Sequence, residues 1–379
     1  MTSHAPFPHP LQSDAFGREL DAIRDEVMAD RGERDRRYIR SLIRIQRTLA
    51  LSSRFVLLAS IAFHPRWGRF AGYGAFLAVL SLGTVMLALA KIIENMEIAH
   101  NVSHAQWDWM NDPAVQSSTW EWDHVCPSDH WKHSHNVIHH TFTNVLGQDR
   151  DIGYAMLRVT ERQKWHPFYL VQPVSAVVMA LFFEWFMAFH DLEINHVLSG
   201  KRSAAEARSM LSRIGWKVGR QVLKDYVLWP ALAGPFFLWV LAANALANIL
   251  RSVWTFVIIF CGHFPEGVHH FTKDDVRDES KGQWYVRQLL GSCNIEGGKV
   301  FHILSGNLSH QIEHHLFPDM PSNRYPTIAP RVRALAERYG LPYNTGSFSR
   351  QLGTTFWKIF TLAVPSARPG PGPALHATS

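Results

Sequence analysis

Long apolar runs in the first part of the chain predict helices that cross a membrane. Residues 49–63 are mostly apolar despite Arg54, and residues 71–90 contain no charged residue. At about 1.5 Å per residue, a helix of twenty residues spans the hydrocarbon core of a bilayer. The sequence HPRWG at 64–68 separates the two runs and is typical of a break at a membrane surface. The pattern predicts a first membrane hairpin that returns to the cytoplasm just before His100.

Two further apolar runs, 226–246 and 247–262, predict a second hairpin that delivers His263 to the cytoplasmic side. The runs are separated only by Asn244, Asn248 and Arg251, so one long tilted helix is the alternative.

The stretch between the hairpins is harder to place across a membrane. Residues 170–189 are apolar but include Gln172, Pro173 and Glu184, and the following residues 191–224 carry seven lysines and arginines. A single crossing at 170–189 would place this basic loop outside the cell, where positive loops are disfavoured. We therefore predict an interfacial or re-entrant segment at 170–189.

The remaining segments are mostly polar. Together with the predicted spans, they indicate an all-α integral membrane fold. Residues 1–15 predict disorder, and dense charge at helical spacing in 16–48 predicts a solvated or membrane-surface helix. Short helices, one soluble and one interfacial, are predicted at 326–340 and 354–364. We predict a cytosolic N-terminal segment at 1–48 and a disordered Pro/Gly tail at 366–379. Between them, residues 49–365 are predicted to form a membrane domain of about four transmembrane helices in two hairpins plus interfacial helices.

Composition agrees with a chain that is part membrane and part cytosolic. The mean hydropathy is −0.09 and the formal charge is +6, with a pI near 9.3. This charge suits an anionic membrane surface, an acidic protein partner or a nucleic acid, and its simplest interpretation is positive residues flanking membrane spans. We predict no nucleic-acid partner. Three cysteines without a metal-binding spacing fit a reducing compartment and a packing role.

Histidine is the unusual residue, with 22 in the chain and several in tight clusters. Spacings of three and four residues place imidazoles on one face of a helix, where they can bind the same metal ion. If the helices pack together below the membrane, the clusters converge on a volume that can hold two ions. Imidazole suits iron, zinc, copper and nickel, so ligand type leaves the metal open. The clusters are His100 with His104; His135 with His139 and His140; and His310, Gln311, His314 and His315.

Three segments resemble the three histidine boxes of the membrane fatty acid desaturase family. They are HNVSH, HNVIHHTFTNVLGQDRD and GNLSHQIEHHLFP, and the similarity extends over roughly residues 70–340. The second box reads H-x-x-x-H-H, whereas many members have H-x-x-H-H, which loosens the geometric match. Details such as FCGHFPEG and HQIEHHLFPDMPSNRY look most like bacterial, actinobacterial-type stearoyl-CoA delta-9 desaturases without a fused cytochrome b5 domain.

The resemblance implies a four-span core with a cytosolic helical cap that holds two iron ions, with O2 as co-substrate. It also implies a ligand outside the boxes, His263, and places Gln311 where other members have a first histidine. Possible ligands or outer partners are Gln311, His310, Glu97 and Asp151, and Asp108, Asp149 and Glu313 are further acids able to orient the rings. Carried over position by position, the implied iron ligands are His100, His104, His135, His139, His140, His263, His314 and His315.

The implied activity is formation of a cis double bond in a long-chain acyl-CoA or acyl lipid, using O2 and two electrons. The sequence has no H-P-G-G haem motif, so we expect an external electron donor, a ferredoxin or similar carrier with an NAD(P)H-dependent reductase. The expected location is the bacterial cytoplasmic membrane, with the active site facing the cytoplasm. Alternatives are a diiron alkyl or acyl hydroxylase and, in another class, a His-rich metal transporter or sensor.

Tryptophans crowd the region between the first two boxes and admit two interpretations. They line an apolar tunnel for the acyl chain, or they form an aromatic belt at the membrane surface. The residues concerned are Trp107, Trp109, Trp120, Trp122 and Trp131.

Overall fold

The computed structural model describes residues 10–67, 72–190 and 199–365, together with residues 192 and 197. The described chain is largely helical, with one pair of short strands. The thirteen helices that we number are α1 Pro10–Ala29, α2 Glu33–Ser60, α3 Tyr73–Ile92, α4 Ser128–Lys132, α5 Gln172–Leu181, α6 Phe183–His190, α7 Ala204–Gln221, α8 Phe237–His263, α9 Lys281–Leu290, α10 Lys299–Leu304, α11 Gln311–Leu316, α12 Tyr325–Arg338 and α13 Phe348–Thr361.

Three of these helices continue through π-helical segments, in which each hydrogen bond spans one residue more than in an α-helix. Helix α3 runs on through Ile93–His100, helix α4 through His133–His139, and helix α7 through Val222–Leu228. Two of the three segments contain histidine boxes.

Helices α2 and α3 pack against each other over much of their length as the first hairpin. Gly83 permits the close approach, because a Cβ atom there would lie 2.9 Å from the Leu57 side chain and 3.0 Å from its backbone nitrogen. Helices α7 and α8 form a second hairpin that turns through Gly234–Phe236. The rings of His64 and Phe236 lie 4.7 Å apart, so the turns of both hairpins meet at the same end of the molecule.

Two helices of the described chain are long and apolar enough to cross a membrane, Tyr73–Ser103 and Gly234–His263. A third candidate is the pair Pro167–Leu181 and Phe183–His190, which is bent by 98° and is either one broken span or a re-entrant loop. The predicted interfacial or re-entrant stretch at 170–189 coincides with this bent pair.

The predicted division of 226–262 into two spans at residue 247 is wrong. Helix α8 passes through this point without interruption. Its hairpin partner is the π-helical continuation of α7 at Val222–Leu228, which begins in the predicted basic loop. The polar residues taken as a break face neighbouring helices: Asn244 donates to the Asp225 carbonyl over 2.6 Å, and Arg251 pairs with Glu184. Because these partners satisfy the polar groups, the helix has no reason to end there.

A buried network of charges joins the two hairpins. The carboxylate of Asp225 on the continuation of α7 accepts from Arg54 of α2 over 2.5 Å and from Lys91 of α3 over 2.8 Å. Lys91 also contacts Asp123 over 3.2 Å, in the loop between the first two histidine boxes. Each of these buried cations has an anion beside it, as burial of charge requires.

The N-terminal helix is part of the polar half of the molecule. Phe16 and Leu20 of α1 are fully buried and belong to a core with residues of α9 and α12 such as Tyr285 and Val332. The prediction of disorder to residue 15 and of a solvated helix beyond it is therefore wrong for 10–29, because successive turns of α1 bury Phe16, Leu20, Ile23 and Val27. Residues 1–9 and the predicted disordered tail at 366–379 lie outside the described residues.

Two short parallel strands, β1 Asn294–Glu296 and β2 Thr345–Ser347, join the segment before the third box to the start of α13. This ladder places α13 beside α8, where the rings of Phe356 and Phe256 lie 6.5 Å apart.

Candidate metal centre

The three histidine boxes meet at one place, although they lie on three separate helices. The first box ends the long helix of α3, the second lies on the π-helical continuation of α4, and the third is α11. Four imidazoles form one group and three form another, and within each group the possible ligand atoms all lie within 4.8 Å of one another. The first group is His100, His104, His135 and His314, and the second is His139, His263 and His315.

His140 lies between the two groups and forms a further set with His314 and His315. The sequence pattern, read as an α-helix, rotates His140 away from His135. The π-helical winding brings them together, with ring centroids 4.9 Å apart, because hydrogen bonds in such a segment connect residues five apart. All eight histidines that the resemblance implies as ligands are thus brought together.

The ring nitrogens that face the interior are Nε2 atoms. Those of His100 and His314 lie 3.3 Å apart, and those of His263 and His315 lie 3.2 Å apart. Within the described chain, the buried Nε2 atoms of His104, His135 and His140 have no hydrogen-bond partner. Converging imidazole lone pairs without partners fit metal ions, and the two groups fit a pair of them.

The opposite ring nitrogens, the Nδ1 atoms, contact an outer layer of polar groups in the three histidines of the second group. The Nδ1 of His139 donates to Asp149, and that of His315 lies 3.1 Å from Gln288 Oε1. The Nδ1 of His263 faces the Gly291 carbonyl at 3.4 Å. Such contacts fix the tautomer and orientation of a ligating ring. The sequence identified Asp149 as a candidate, but Gln288 and Gly291 have no local signal because they lie far away along the chain.

The electrostatics of the interior favour neutral rings. Burial first, and neighbouring imidazoles second, hold the pKa of five of these rings well below the ordinary value, so they carry lone pairs at neutral pH. For His139 burial also opposes the charged form, but the Asp149 carboxylate outweighs it and raises the pKa. These five rings are His104, His135, His140, His314 and His315.

Two of the additional candidates lie at the site. The Nε2 atom of Gln311 is 2.9 Å from Nε2 of His263. A carboxylate oxygen of Asp151 lies 3.6 Å from Nδ1 of His135 and 3.8 Å from Nδ1 of His139. Both residues therefore touch the cluster directly.

The other candidates lie outside the two groups. Glu97 accepts hydrogen bonds from Tyr38, Ser322 and Asn307. Glu313 accepts from Asn294 and Tyr343, and Asp108 accepts from Ser117. The ring of His310 lies 4.6 Å from that of His302, not among the eight histidines. These side chains support the helices that carry the histidines.

Three tryptophans between the first two boxes are buried and do not form a belt at a membrane surface. Trp131 stacks on His135 with ring centroids 4.3 Å apart, and Trp122 lies 5.2 Å from Trp131. Trp107 is fully buried beside Tyr38. Trp131 therefore packs directly against the box histidines, and Trp122 packs behind it.

A narrow enclosed cavity opens onto the histidine cluster. Its lining combines polar groups, namely Asp151, Gln311 and histidines of both groups, with the apolar side chains of Ile259, Phe264 and Leu308.

Comparison with known proteins identifies the family. The fatty acid desaturase model matches residues 73–347. An NADPH-dependent stearoyl-CoA 9-desaturase of Mycobacterium tuberculosis is 47% identical over 365 residues, which is 95% of this chain and 82% of that protein. An sn-1 linoleoyl-lipid 6-desaturase of Synechocystis is 26% identical over 88% of this chain and 90% of its own. Human fatty acid desaturase 3 is 24% identical over 71% of this chain and 58% of its own. With three converging histidine boxes and a family match over most of its length, the chain belongs to the fatty acid desaturase family.

Proposed function

We propose that this desaturase introduces a cis double bond into a long-chain acyl-CoA, consuming O2 and two electrons. The observation that carries the proposal is the convergence of eight histidines beside a cavity whose lining includes apolar side chains. The identity of 47% with a stearoyl-CoA 9-desaturase supports an acyl-CoA substrate and a position near carbon 9.

The metal is proposed to be a pair of irons, one bound by each histidine group. In this arrangement His140 lies between the groups, and Gln311 lies beside the second group at His263. When bound, the irons would activate O2 and abstract hydrogen from the acyl chain. Neutral imidazoles suit this task because thiolate ligands would be oxidised more easily.

The protein's own contribution is positioning and exclusion of water. Ile259, Phe264 and Leu308 offer an apolar surface for the acyl chain. Asp149 and Gln288 hold rings of the second group in the tautomer that directs Nε2 inward. Because the histidines are buried, bulk water does not compete with the substrate for the site.

Electrons are proposed to come from a separate carrier that is reduced with NADPH. The printed name of the mycobacterial relative includes NADPH dependence. A ferredoxin or similar acidic carrier suits the formal charge of +6. Turnover that is insensitive to salt and to the charge of the carrier would count against this partner.

We further propose that the protein resides in the cytoplasmic membrane with the metal centre on the cytoplasmic side. The two candidate spans end at Ser103 and His263, so they deliver histidines to the same end of the bundle. Helix α13 leaves Trp357 and Phe360 exposed, at 68% and 64% of their surfaces. Together with the exposed apolar face of α5, this suits a helix at the membrane surface.

Lipid profiling of cells that express the wild type, His315→Ala or His133→Ala tests the reaction, the site and the alternatives together. The wild type should produce monounsaturated acyl chains, His315→Ala should abolish them and lower bound iron, and His133→Ala should do neither. His133 is the matched control because it is exposed on the helix that carries the second box. Hydroxylated products would favour the hydroxylase, and bound zinc without iron would revive the transporter or sensor.

A further inference from the structure

Two polar side chains contact the segment that directly follows His263. Phe264 lines the cavity at the metal centre, and its ring centroid lies 6.1 Å from those of both His263 and His270. The Nζ atom of Lys358 on α13 donates to the carbonyl of Pro265 over 2.9 Å. Both side chains therefore reach the chain within two residues of a predicted iron ligand.

His270 has hydrogen-bonding capacity that the fold does not use. The residue is 8% exposed, and its Nε2 atom has no hydrogen-bond partner in the described part of the chain. None of the metal-binding groups includes it. A buried polar atom without a partner costs free energy, so it indicates a partner that the folded chain alone does not supply.

Lys358 brings a positive charge close to His270. Its ammonium donates to a backbone carbonyl and makes no ion pair among the described residues. Burial lowers the pKa of Lys358 to about 8, although Glu266 opposes this. After burial, the charge of Lys358 is the largest cause that lowers the pKa of His270. His270 thus has a positive charge near it and no acceptor for its Nε2 atom among the described residues.

The two donors fit an acyl carbonyl better than a phosphate. One imidazole N–H and one ammonium suit a single oxygen with partial negative charge, whereas phosphate groups are usually held by several strong donors. The guanidinium of the nearby Arg162 contacts Asp275 over 3.2 Å. The aromatic ring of Phe264 beside His270 also suits a chain that is apolar beyond its carbonyl.

We propose that His270 and Lys358 bind the carbonyl oxygen of the acyl substrate and so set which carbons reach the metal centre. This inference rests on the proposed function. The ring of Phe264 separates this positioning site from the metal centre, since its centroid lies 6.1 Å from those of both His263 and His270.

The test compares ligands that differ only in the carbonyl oxygen. Binding of stearoyl-CoA and of its thioether analogue S-octadecyl-CoA is measured anaerobically, without electron donor, on purified full-length protein in nanodiscs. The wild type should bind the thioester about tenfold more tightly than the thioether. For His270→Leu and Lys358→Met this ratio should fall towards one, and His270→Gln should retain it because an amide can still donate.

His269→Leu is the matched control, since its imidazole lies next in sequence and outside the proposed site, and it should keep the wild-type ratio. A parallel pair of stearoyl ester and octadecyl ether phospholipids distinguishes a lipid-bound acyl carbonyl from that of acyl-CoA. A wild-type ratio near one in both pairs, or unchanged ratios in His270→Leu and Lys358→Met, would overturn the proposal.

Product analysis with stearoyl-CoA and NADPH in membranes of the expressing host adds a second readout. Looser anchoring in His270→Leu should spread the double bond over neighbouring positions while bound iron stays at the wild-type level. Loss of iron in both His270→Leu and Lys358→Met would instead assign these residues to the metal centre and refute the proposal. Failure of the wild type to desaturate any acyl substrate would refute the proposed function, whereas the binding ratio is measured without turnover.

Discussion

The Nδ1 atom of His139 donates to the carboxylate of Asp149, with 3.0 Å between Nδ1 and Oδ2. The same carboxylate accepts from the backbone N–H groups of Asn144 and Asp151 over 2.8 and 2.9 Å. Asp149 therefore fixes both the His139 ring and the loop that follows the second box.

Replacement of Asp149 by Asn should weaken metal binding without removing a ligand. The amide lacks the charge that favours the Nδ1–H tautomer of His139, so we expect iron affinity to fall roughly 10- to 100-fold. Competition with a chelator, followed by metal analysis, measures this. Asp108→Asn is the control, because Asp108 bonds Ser117 away from the histidines, and equal iron retention in both variants would contradict the role of Asp149.

Loss of the buried charge of Asp225 should destabilise the joined hairpins strongly. Asp225→Asn leaves Arg54 and Lys91 without their shared carboxylate, and breaking such a buried pair costs about 3–5 kcal/mol. Thermal unfolding in detergent measures the loss. Asp274→Asn breaks an exposed pair with Arg277 and should change stability by less than about 1 kcal/mol; similar losses in the two variants would disprove the importance of burial.

A methyl group at Gly83 should force the first hairpin apart. Gly83→Ala places a Cβ atom against the backbone and side chain of Leu57, which we expect to cost about 1–3 kcal/mol by overpacking. Gly74→Ala on the same helix has no atom within 4 Å of the new Cβ and should be neutral or slightly stabilising. The unfolding temperatures of the two variants test this prediction. Equal values would show that the extra methyl group between α2 and α3 costs no stability.

The contact between the start of α2 and the segment before α12 should weaken in acid. Burial alone would raise the pKa of Asp35, but bonds from Arg324 and Asn323 outweigh it and lower the pKa below 3.8. A carboxyl with a lowered folded pKa contributes its full stability above the unfolded value, and loses it as the pH falls through the folded value. The difference in unfolding temperature between wild type and Asp35→Asn should therefore be constant from pH 5 to 7 and shrink below about pH 4. A difference that grows in acid would contradict this sign.

Short-range patterns in the sequence were sufficient to predict much of the candidate site and part of the fold. Residues 73–90 of the predicted charge-free run lie within the first candidate span, because a long run without charged residues can form a helix that buries its apolar surface. The spacing of the boxes, with the family resemblance for His263, pointed to the eight histidines that converge. Of the four additional candidates, Gln311 and Asp151 touch the cluster, whereas His310 and Glu97 lie outside it.

Tertiary structure decided what depends on partners far away in the chain. Asn244, Asn248 and Arg251 look like a break between two spans in the sequence. In the folded chain Asp225 and Glu184 provide partners for their polar groups, so local hydropathy could not locate the ends of the helices in the second hairpin. The approach of His140 to His135 depends on a π-helical winding that residue spacing does not reveal. Local periodicity thus determined which segments are apolar and which box histidines share a helix face. Packing between distant segments determined how buried charges are neutralised and which ring nitrogens face the centre, because those energies exist only once the helices meet.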